Sequence, residues 1–492
     1  MQLETLEILR CPYCGGRLEL VGSLFHRRTN DEIHDGILGC YCCIFPLVDG
    51  IPVLHLQPHA TAARDHIQAG EPGLARRAMV GLEDAAEAEA FDAIASSGTA
   101  TYRETVDALG PNFEGGYFLY RFSDPTYIVA QAVVRSVAKT VLPALSGVEG
   151  PALSGVEGPA LSGVEGPALS GVEGPALSGV EGPALSGVEG HGTRRAIDIC
   201  GGSGHLTRSL MDVSSLPPVL ADLYYAKVWL ARRFTAPGCE PVCCDGNAPF
   251  PFARGAFGFA MCTDAFMYIW TKRQFVGEME RLIDNTTINA EAAEPAEKNG
   301  SARSARSALN GAAGEPGAIL IGHTHNERTW SPSHGQPLSA EGYRNLFETF
   351  EPRVFGEAGL FADVVKGGPI DLSRRDPDEV LDRDPALTII ASRHPRVFAT
   401  HRLDALPPPA ATGEFRLNPL YAATANGNSV RLRLQFPNGD YAEEYGACRE
   451  YLPEEVFVDR DALAALPATA LPDALVDLAR RRVILDLPKR YY

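Results

Sequence analysis

Short apolar runs that end in a polar or acidic residue recur through the middle of the chain and predict buried strands. Ala196-Ile-Asp-Ile-Cys200, Pro218-Val-Leu-Ala-Asp222, Pro241-Val-Cys-Cys244 and Ala256-Phe-Gly-Phe-Ala-Met-Cys-Thr263 are four of them, each bounded by turn-forming residues. Ahead of them, residues 126–141 carry apolar residues at helical spacing behind the turn Ser123-Asp-Pro125, which predicts a helix packed in front of the first strand. The aromatic stretch before it, Tyr117-Phe-Leu-Tyr-Arg-Phe122, reads as core rather than as a lid. Further on, Ser339-Ala-Glu-Gly-Tyr343 begins like a capped helix, and Ala386-Leu-Thr-Ile-Ile-Ala-Ser392 reads as a final strand after the polar, irregular stretch 363–383. Ser429-Val-Arg-Leu-Arg-Leu-Gln-Phe436 alternates like a half-buried strand before the turn Pro437-Asn-Gly-Asp440, and residues 459–481 suggest helices.

Between the patterned stretches the sequence changes texture. Residues 58–95, rich in Ala, Glu and Asp, read as a mobile or helical connector. From 143 to 190 the octapeptide Pro-Ala-Leu-Ser-Gly-Val-Glu-Gly is repeated six times without a change. One Pro and two Gly per unit oppose helix and central strand, so it reads as a disordered linker. Residues 284–316 read as a flexible insertion. The resulting organisation is 1–57, a cysteine-rich module; 58–95, the connector; 96–142, a helical part; 143–190, the repeat; 191–393, the main sheet; and 394–492, a small accessory α+β domain.

Composition narrows the class. The 492 residues are 45% apolar and 22% charged, a globular balance with room for roughly three domains. There is no apolar run long enough for a membrane span, and Met1-Gln-Leu-Glu-Thr-Leu-Glu7 lacks the features of a signal peptide, so the expected location is the cytoplasm, away from membranes. The net charge of −18 disfavours broad contact with nucleic acid, although the six repeat glutamates contribute part of it. Eleven cysteines without a secretory signal argue for metal ligands and reduced thiols.

Two groups of residues carry chemistry. Cys11-Pro-Tyr-Cys14 and Cys40-Tyr-Cys-Cys43 are paired knuckles with the spacing of a tetrahedral zinc site. The ligand set is read as Cys11, Cys14, Cys40 and Cys43, with Cys42 able to replace either of the last two, while His26 and His34 fall on the intervening hairpin. The second group begins at Asp198-Ile-Cys-Gly-Gly-Ser-Gly204, a glycine-rich turn between strand and helix that suits a nucleotide. Asp222 ends the next strand, where a carboxylate can accept from ribose hydroxyls. Asp245 follows the third strand, where it can accept from an adenine amino group. His323 and His325, two apart in an extended chain, would face one side and offer a general base near pKa 6.5.

These motifs carry two resemblances. Leu6-Glu-Ile-Leu-Arg-Cys-Pro-Tyr-Cys-Gly-Gly-Arg-Leu18 with Leu38-Gly-Cys-Tyr-Cys-Cys-Ile-Phe-Pro-Leu-Val-Asp-Gly-Ile-Pro-Val-Leu54 resembles the zinc-ribbon family of methyltransferase activator subunits, which implies a structural or docking role and a possible protein partner. The elbow at 198–204, the acid Asp222 and Asp245-Gly246 with Ala248-Pro-Phe250 are similar to the class I S-adenosylmethionine-dependent methyltransferases. In that resemblance Asp198, Cys200, Gly201, Gly202, Gly204, Asp222, Asp245, Gly246 and Cys262 fall at cofactor-binding positions. Glu280-Arg-Leu-Ile283 and Gly317-Ala-Ile-Leu-Ile-Gly-His323 look like that family's helix and strand five. Two departures are Cys200, at the elbow's first glycine position and tolerable with negative φ, and Gly258, where many members carry Asp.

The resemblance implies an α/β, Rossmann-like class I methyltransferase sheet with helices on both faces, an N-terminal zinc ribbon and a small C-terminal α+β domain. It further implies S-adenosylmethionine and structural zinc as cofactors and methyl transfer as the activity; the acidity of the chain and the absence of a basic stripe point to an O or N atom of a small or glycosylated metabolite as the acceptor. The alternatives are an RNA or protein methyltransferase docked through the ribbon, and a non-catalytic scaffold on the same fold.

Overall fold

The architecture was obtained as a computed structural model that describes residues 1–82, 84–110, 116–142, 194–284, 316–331, 335–403 and 413–492. The repeat at 143–190 and nearly all of the expected insertion at 284–316 lie outside these residues.

After a short helical segment at Leu3–Ile8 come antiparallel hairpins: β1 (Glu32–Gly39) pairs with β2 (Ile44–Val48), and β2 with β3 (Ile51–Pro52). Glycine reversals such as Asp49-Gly50, both at positive φ, make these connections tight. Three helices occupy the stretch read as a mobile or helical connector, α1 (Pro58–Gln68), α2 (Pro72–Val80) and α3 (Ala85–Ser96), and α4 (Tyr102–Leu109) follows in the part expected to be helical. Two start at proline, and α4 carries a capping box between Thr101 and Glu104. Their buried faces, including Ile67, Met79 and Phe91, join the main core. Helix α5 (Pro125–Val141) begins where the Ser-Asp-Pro turn places it, with Asp124 accepting from the Tyr127 amide at 2.6 Å.

The six predicted strands and one more, which the sequence did not predict, form a seven-stranded sheet. In chain order they are β4 (Arg195–Ile199), β5 (Val219–Asp222), β6 (Glu240–Cys243), β7 (Phe257–Thr263), β8 (Ala318–His325), β9 (Pro352–Gly356) and β10 (Ala386–Ser392). In space the order is β9-β10-β8-β7-β4-β5-β6, parallel from β8 to β6, with β10 antiparallel to both of its neighbours. The order reverses beside β4, so β5 and β6 lie on one side and β7 on the other. That switch point opens a crevice at the carboxyl ends of the strands.

Alternation along the strands sorts their side chains into two cores. Ala196, Leu220, Met261, Leu320 and Ile390 face α5, α6 (Thr207–Met211), α7 (Tyr225–Leu230) and α10 (Glu357–Val365). Ile197, Ala221, Cys262, Ile321 and Ile389 face α8 (Lys272–Ile283), α9 (Ala340–Arg344) and the N-terminal hairpins. Cover on both faces is what near-continuous apolar strands require.

The N-terminal hairpins also continue the sheet. Val53 bridges Cys243 in parallel, and the Leu54 amide donates to the Cys243 carbonyl at 2.7 Å, so the segment after β3 runs alongside β6. At the far end of the chain, β11 (Gly413–Leu417) pairs with β15 (Ile484–Pro488), and β12 (Tyr421–Asn426), β13 (Ser429–Leu434) and β14 (Glu455–Asp459) form a separate sheet over a small core that includes Leu420, Leu432 and Val456. The chain then returns: the Tyr102 amide donates to the Arg490 carbonyl, and Tyr491 stacks on Tyr102 with centroids 4.7 Å apart. Among the described residues, no helix is long and apolar enough to cross a membrane.

Candidate functional site

The cysteine knuckles are formed by short backbone turns. The Cys11 amide donates to the Gly16 carbonyl and the Gly15 amide to the Cys11 carbonyl, both at 2.8 Å, with Gly15 at φ 72°. The Cys43 amide donates to the Cys40 sulfur. The thiols of Cys11, Cys14, Cys40 and Cys42 all lie within 4.8 Å of one another. Cys11–Cys42 and Cys14–Cys40 are separated by 3.7 Å and Cys40–Cys42 by 3.6 Å. Four sulfurs each about 2.3 Å from a tetrahedral zinc would sit about 3.8 Å apart, so this quartet fits the ion. Cys43 stands outside the quartet, its sulfur 3.3 Å from that of Cys42. The knuckles abut the loop carrying Asp245: the Arg10 amide donates to the Pro251 carbonyl at 2.9 Å, and Ala253 to Ile8 at 2.8 Å.

The elbow after β4 is tied to β5. The Cys200 and Gly201 amides both donate to the Ala221 carbonyl, at 2.7 and 3.3 Å, and the Gly202 amide donates to Asp222 Oδ2 at 3.0 Å. Asp222 Oδ1 accepts from the Tyr224 amide, and the Cys244 amide donates to the Asp222 carbonyl. Elbow, ribose-position acid and the start of the Asp245 loop are thereby stitched together. Asp245 Oδ1 accepts from the Asn247 amide at 2.8 Å, which shapes the turn containing Gly246.

The three glycines have different reasons to be glycine. A Cβ on Gly201 would meet Asp198 Oδ2 at 2.5 Å, and one on Gly204, at φ 78°, would meet Ala231 at 2.8 Å. Gly202 has open space where a Cβ would stand, and its φ of 55° is what favours glycine there. Asp198 lies behind the turn, accepting from Thr207 Oγ1 at 2.6 Å, and burial lifts its carboxyl to about 7. It positions α6 against the elbow.

Cys200 departs from expectation. A negative φ was expected, whereas the residue sits at φ 60°. Holding two amides on one carbonyl forces the left-handed turn at this position, at a cost of about 1–2 kcal/mol for a residue with a Cβ. Its sulfur lies 3.1 Å from where a Cβ on Gly246 would stand, which keeps Gly246 a glycine. The hydrogen bond that the Cys262 S–H donates to Cys200, together with burial, pushes this thiol well above its ordinary range. Cys262 is fully buried in the core on the α8 face.

At the ends of β7 and β8 lies a second polar group. The register of β8 against β10 shifts between Ile321 and Thr324, and His323 in this bulge has φ 47°. Its amide donates to Glu357 Oε1 at 2.8 Å and its Nδ1 lies 2.7 Å from Glu357 Oε2, while Thr388 Oγ1 also donates to Oε1. Burial opposes the imidazolium, but the charge and hydrogen bond of Glu357, with Asp264, outweigh it and raise His323 to about 9. His323 is thus a cation at neutral pH and a poor general base. Burial and the neighbouring His323 lower His325, whose Nδ1 lies 2.7 Å from Ser331 Oγ. The two rings are 5.7 Å apart and nearly perpendicular, so the bulge keeps them adjacent while their pKa values are pushed in opposite directions.

Sequence reasoning missed several residues here. Buried Arg121 donates to Asp124 Oδ2 at 3.1 Å and to Asp264 Oδ2 at 2.7 Å, clamping the aromatic segment Gly116–Ser123 onto the end of β7. Leu119 and Phe122 of that segment are core, as expected, but Tyr117 is exposed and Phe118 half-buried, with Lys227 Nζ 5.8 Å over the Phe118 ring. Tyr224, Tyr268, Trp270 and Trp330 are also exposed, and all follow carboxyl ends of strands. Tyr491, from the end of the chain, places its hydroxyl 2.7 Å from His205 Nε2, directly behind the elbow. Burial lowers His205 to about 3, so it remains neutral there. A Ser-Asp-Pro turn behind aromatics signalled the Arg121 segment; nothing local signalled Tyr491.

No family model matches the chain, and no curated protein matches its sequence. Solved structures do align with part of it. A S-adenosylmethionine-dependent methyltransferase from Aquifex aeolicus is 12% identical, with 41% of this chain and 85% of that chain covered and a TM-score of 0.25. A chain of the complex between the Haloferax volcanii Trm112 methyltransferase activator and a methyltransferase is 14% identical, with 43% and 84% covered and a TM-score of 0.27. The phosphoethanolamine N-methyltransferase 2 of Haemonchus contortus is 12% identical with a TM-score of 0.27; the alignment covers 43% of this chain and 49% of that chain, about half its length.

Proposed function

We propose that this chain is an S-adenosylmethionine-dependent methyltransferase acting on an O or N atom of a small or glycosylated metabolite. The observation that carries the reading is the stitched elbow: at the switch point Gly202, at positive φ and with open space beside it, donates its amide to Asp222 at the end of the neighbouring strand. The Gly202 and Tyr224 amides hold the two Asp222 oxygens in place at the end of β5, where the carboxylate would accept from a ribose hydroxyl. Asp245, on the loop braced by the cysteine knuckles, would take the adenine amino group. The bound cofactor supplies an electrophilic methyl group; the chain has to align an acceptor with it, and alignment alone can account for much of the rate.

In this reading His325 is the proton acceptor, because it stays neutral beside the protonated His323. The exposed aromatics at the strand ends would contact the acceptor's apolar part. The thiols of Cys11, Cys14, Cys40 and Cys42 would hold a structural zinc whose role is to brace the Asp245 loop. A second reading, an RNA or protein acceptor docked through the ribbon, draws on the cleft lined by Arg27, Arg28, His34 and Arg232. Much of that charge is paired, Arg27 with Asp35 and Arg232 with Glu32, which favours the small acceptor.

The test is calorimetric titration of the zinc-loaded protein with S-adenosylmethionine. Saturable binding that weakens about tenfold or more in Asp222→Ala is expected, a loss of about 1.4 kcal/mol or more. No binding, or equal affinity in the variant, overturns the assignment.

A further inference from the structure

The segment Gly116–Ser123 is a run of 3₁₀ turns eight residues long. Such runs seldom pass about four residues on their own hydrogen bonds, so this one has to be held from outside. The groups that hold it come from residues 413–492. Tyr491 Oη donates to the Phe118 carbonyl at 2.9 Å, Tyr492 Oη to the Leu119 carbonyl, the Arg482 guanidinium to the Phe122 carbonyl at 2.8 Å, and Tyr451 Oη to the Ser123 carbonyl. Ser123 Oγ donates to Asn418 Oδ1 at 3.0 Å, and Asn418 donates in turn to the Arg482 carbonyl. The rings follow the same plan. Tyr117 stacks on Tyr445, while Tyr120 packs edge-on against Tyr441 and Phe122 against Tyr491, with centroids 5.2 to 6.3 Å apart.

On its other side the segment meets the ends of the sheet strands. Arg121 donates to Asp264, just beyond β7. The Phe118 ring has Lys227 Nζ 5.8 Å over it, and that nitrogen stands 5.3 Å from the Tyr224 ring in the stretch after β5. Lys227 is near enough to Asp222 for its charge to favour the carboxylate. Strand β4 lies between β5 and β7 in the sheet. A segment anchored beyond both neighbours therefore passes across the carboxyl end of β4, where the elbow begins. The Phe118 ring is accordingly 5.8 Å from that of His205 in the elbow.

Given the reading of the elbow and Asp222 as the S-adenosylmethionine site, on which this rests, we propose that residues 413–492 are the clamp that holds this strap across the cofactor crevice. Phe118 then forms an outer wall of the crevice, and Tyr451, Arg482, Tyr491 and Tyr492 are positioning residues for cofactor binding. A wall ordered in advance spares the ligand the cost of ordering it.

Hydrogen exchange of the full zinc-loaded chain, read by mass spectrometry on peptides spanning 116–123, tests both halves. Tyr451→Phe combined with Tyr492→Phe removes two of the carbonyl donors. Tyr421→Phe removes a bond of the same kind within the C-terminal domain, to the Pro453 carbonyl at 2.8 Å, and is the control. The double variant should exchange the strap amides about tenfold or more faster, and the control should leave them unchanged. Saturating S-adenosylmethionine should slow strap exchange in the wild-type chain about tenfold or more, while residues 421–434 exchange as before. Linkage is reciprocal, so a strap ordered by the cofactor is one whose order strengthens cofactor binding. Equal strap exchange in the double variant and the wild type, or equal acceleration in Tyr421→Phe, overturns the clamp. Cofactor that binds without slowing the strap overturns the covering role, whereas a chain that binds no cofactor overturns the reading of the crevice itself and the covering role with it. Should the double variant lose its melting transition, Tyr492→Phe is read alone, and unchanged strap exchange there overturns the clamp as well.

Discussion

Replacing Glu357 with Gln tests the charge state of the His323 pair and, through it, the choice of His325 as proton acceptor. Gln keeps one oxygen for the His323 amide and the Thr388 hydroxyl, which now share Oε1, and removes the negative charge. In the native protein His323 is raised from 6.5 to about 9. A proton held more tightly in the folded state stabilises the fold fully below pH 6.5, and that contribution is lost as pH rises through about 9. At about 1.4 kcal/mol per unit the pair contributes roughly 3 kcal/mol at its maximum. With a urea slope of about 3 kcal/mol/M, the midpoint should fall by about 1 M across that window. In Glu357→Gln burial dominates, His323 is pushed below its ordinary value, and the midpoint should stay level or rise over the same range. Urea titrations of both proteins at a series of pH values provide the comparison, followed by tryptophan fluorescence. Parallel profiles would refute the protonated assignment and return His323 to the list of candidate bases.

Three further outcomes follow from geometry. Cys42→Ser should lower zinc content measured by metal-release titration, whereas Cys43→Ser should leave one ion per chain, because only Cys42 lies within the sulfur quartet; the reverse order would exchange their roles. At most positions Gly is less stable than Ala, but at the left-handed Cys200 the order should invert, Cys200→Gly exceeding Cys200→Ala by about 1 kcal/mol in denaturant unfolding; an Ala variant of equal or greater stability would contradict the turn. Tyr491→Phe removes the hydroxyl shared with His205 and the Phe118 carbonyl, and should destabilise by about 1–2 kcal/mol in the same assay, with no change counting against the contact.

The sheet was legible wherever its strands are uninterrupted apolar runs closed by turn residues, as in β4, β5, β7 and β10. Strand β9 was not, because Pro352–Gly356 is five residues long, opens on proline and leaves its first two residues half-buried. The elbow and Asp222 were readable because glycine spacing and a strand-terminal acid are local features. Partners contributed by distant segments were not: Glu357 lies 34 residues from His323, Arg121 143 from Asp264, and Tyr491 286 from His205. The charge states of the two histidines depend on such partners, and the bulge at His323 depends on pairing with β10, so a two-residue spacing alone could not distinguish the rings. The left-handed turn at Cys200 likewise arises from the carbonyl of Ala221 on the neighbouring strand.

The pairing of Val53 and Leu54 with Cys243 has a consequence for how the molecule is made. An outer parallel strand with free amides and carbonyls invites pairing between molecules and hence aggregation, and here a module made earlier in synthesis covers that strand. It leaves the ribosome roughly two hundred residues ahead of β6 and has to wait, already folded, for its partner to emerge. If a metal ion organises the knuckles, its supply at the moment of synthesis governs whether a shielded edge is ready when the strand arrives. Zinc starvation would then show first as lost soluble yield of newly made protein, while molecules completed earlier keep their protected sheet.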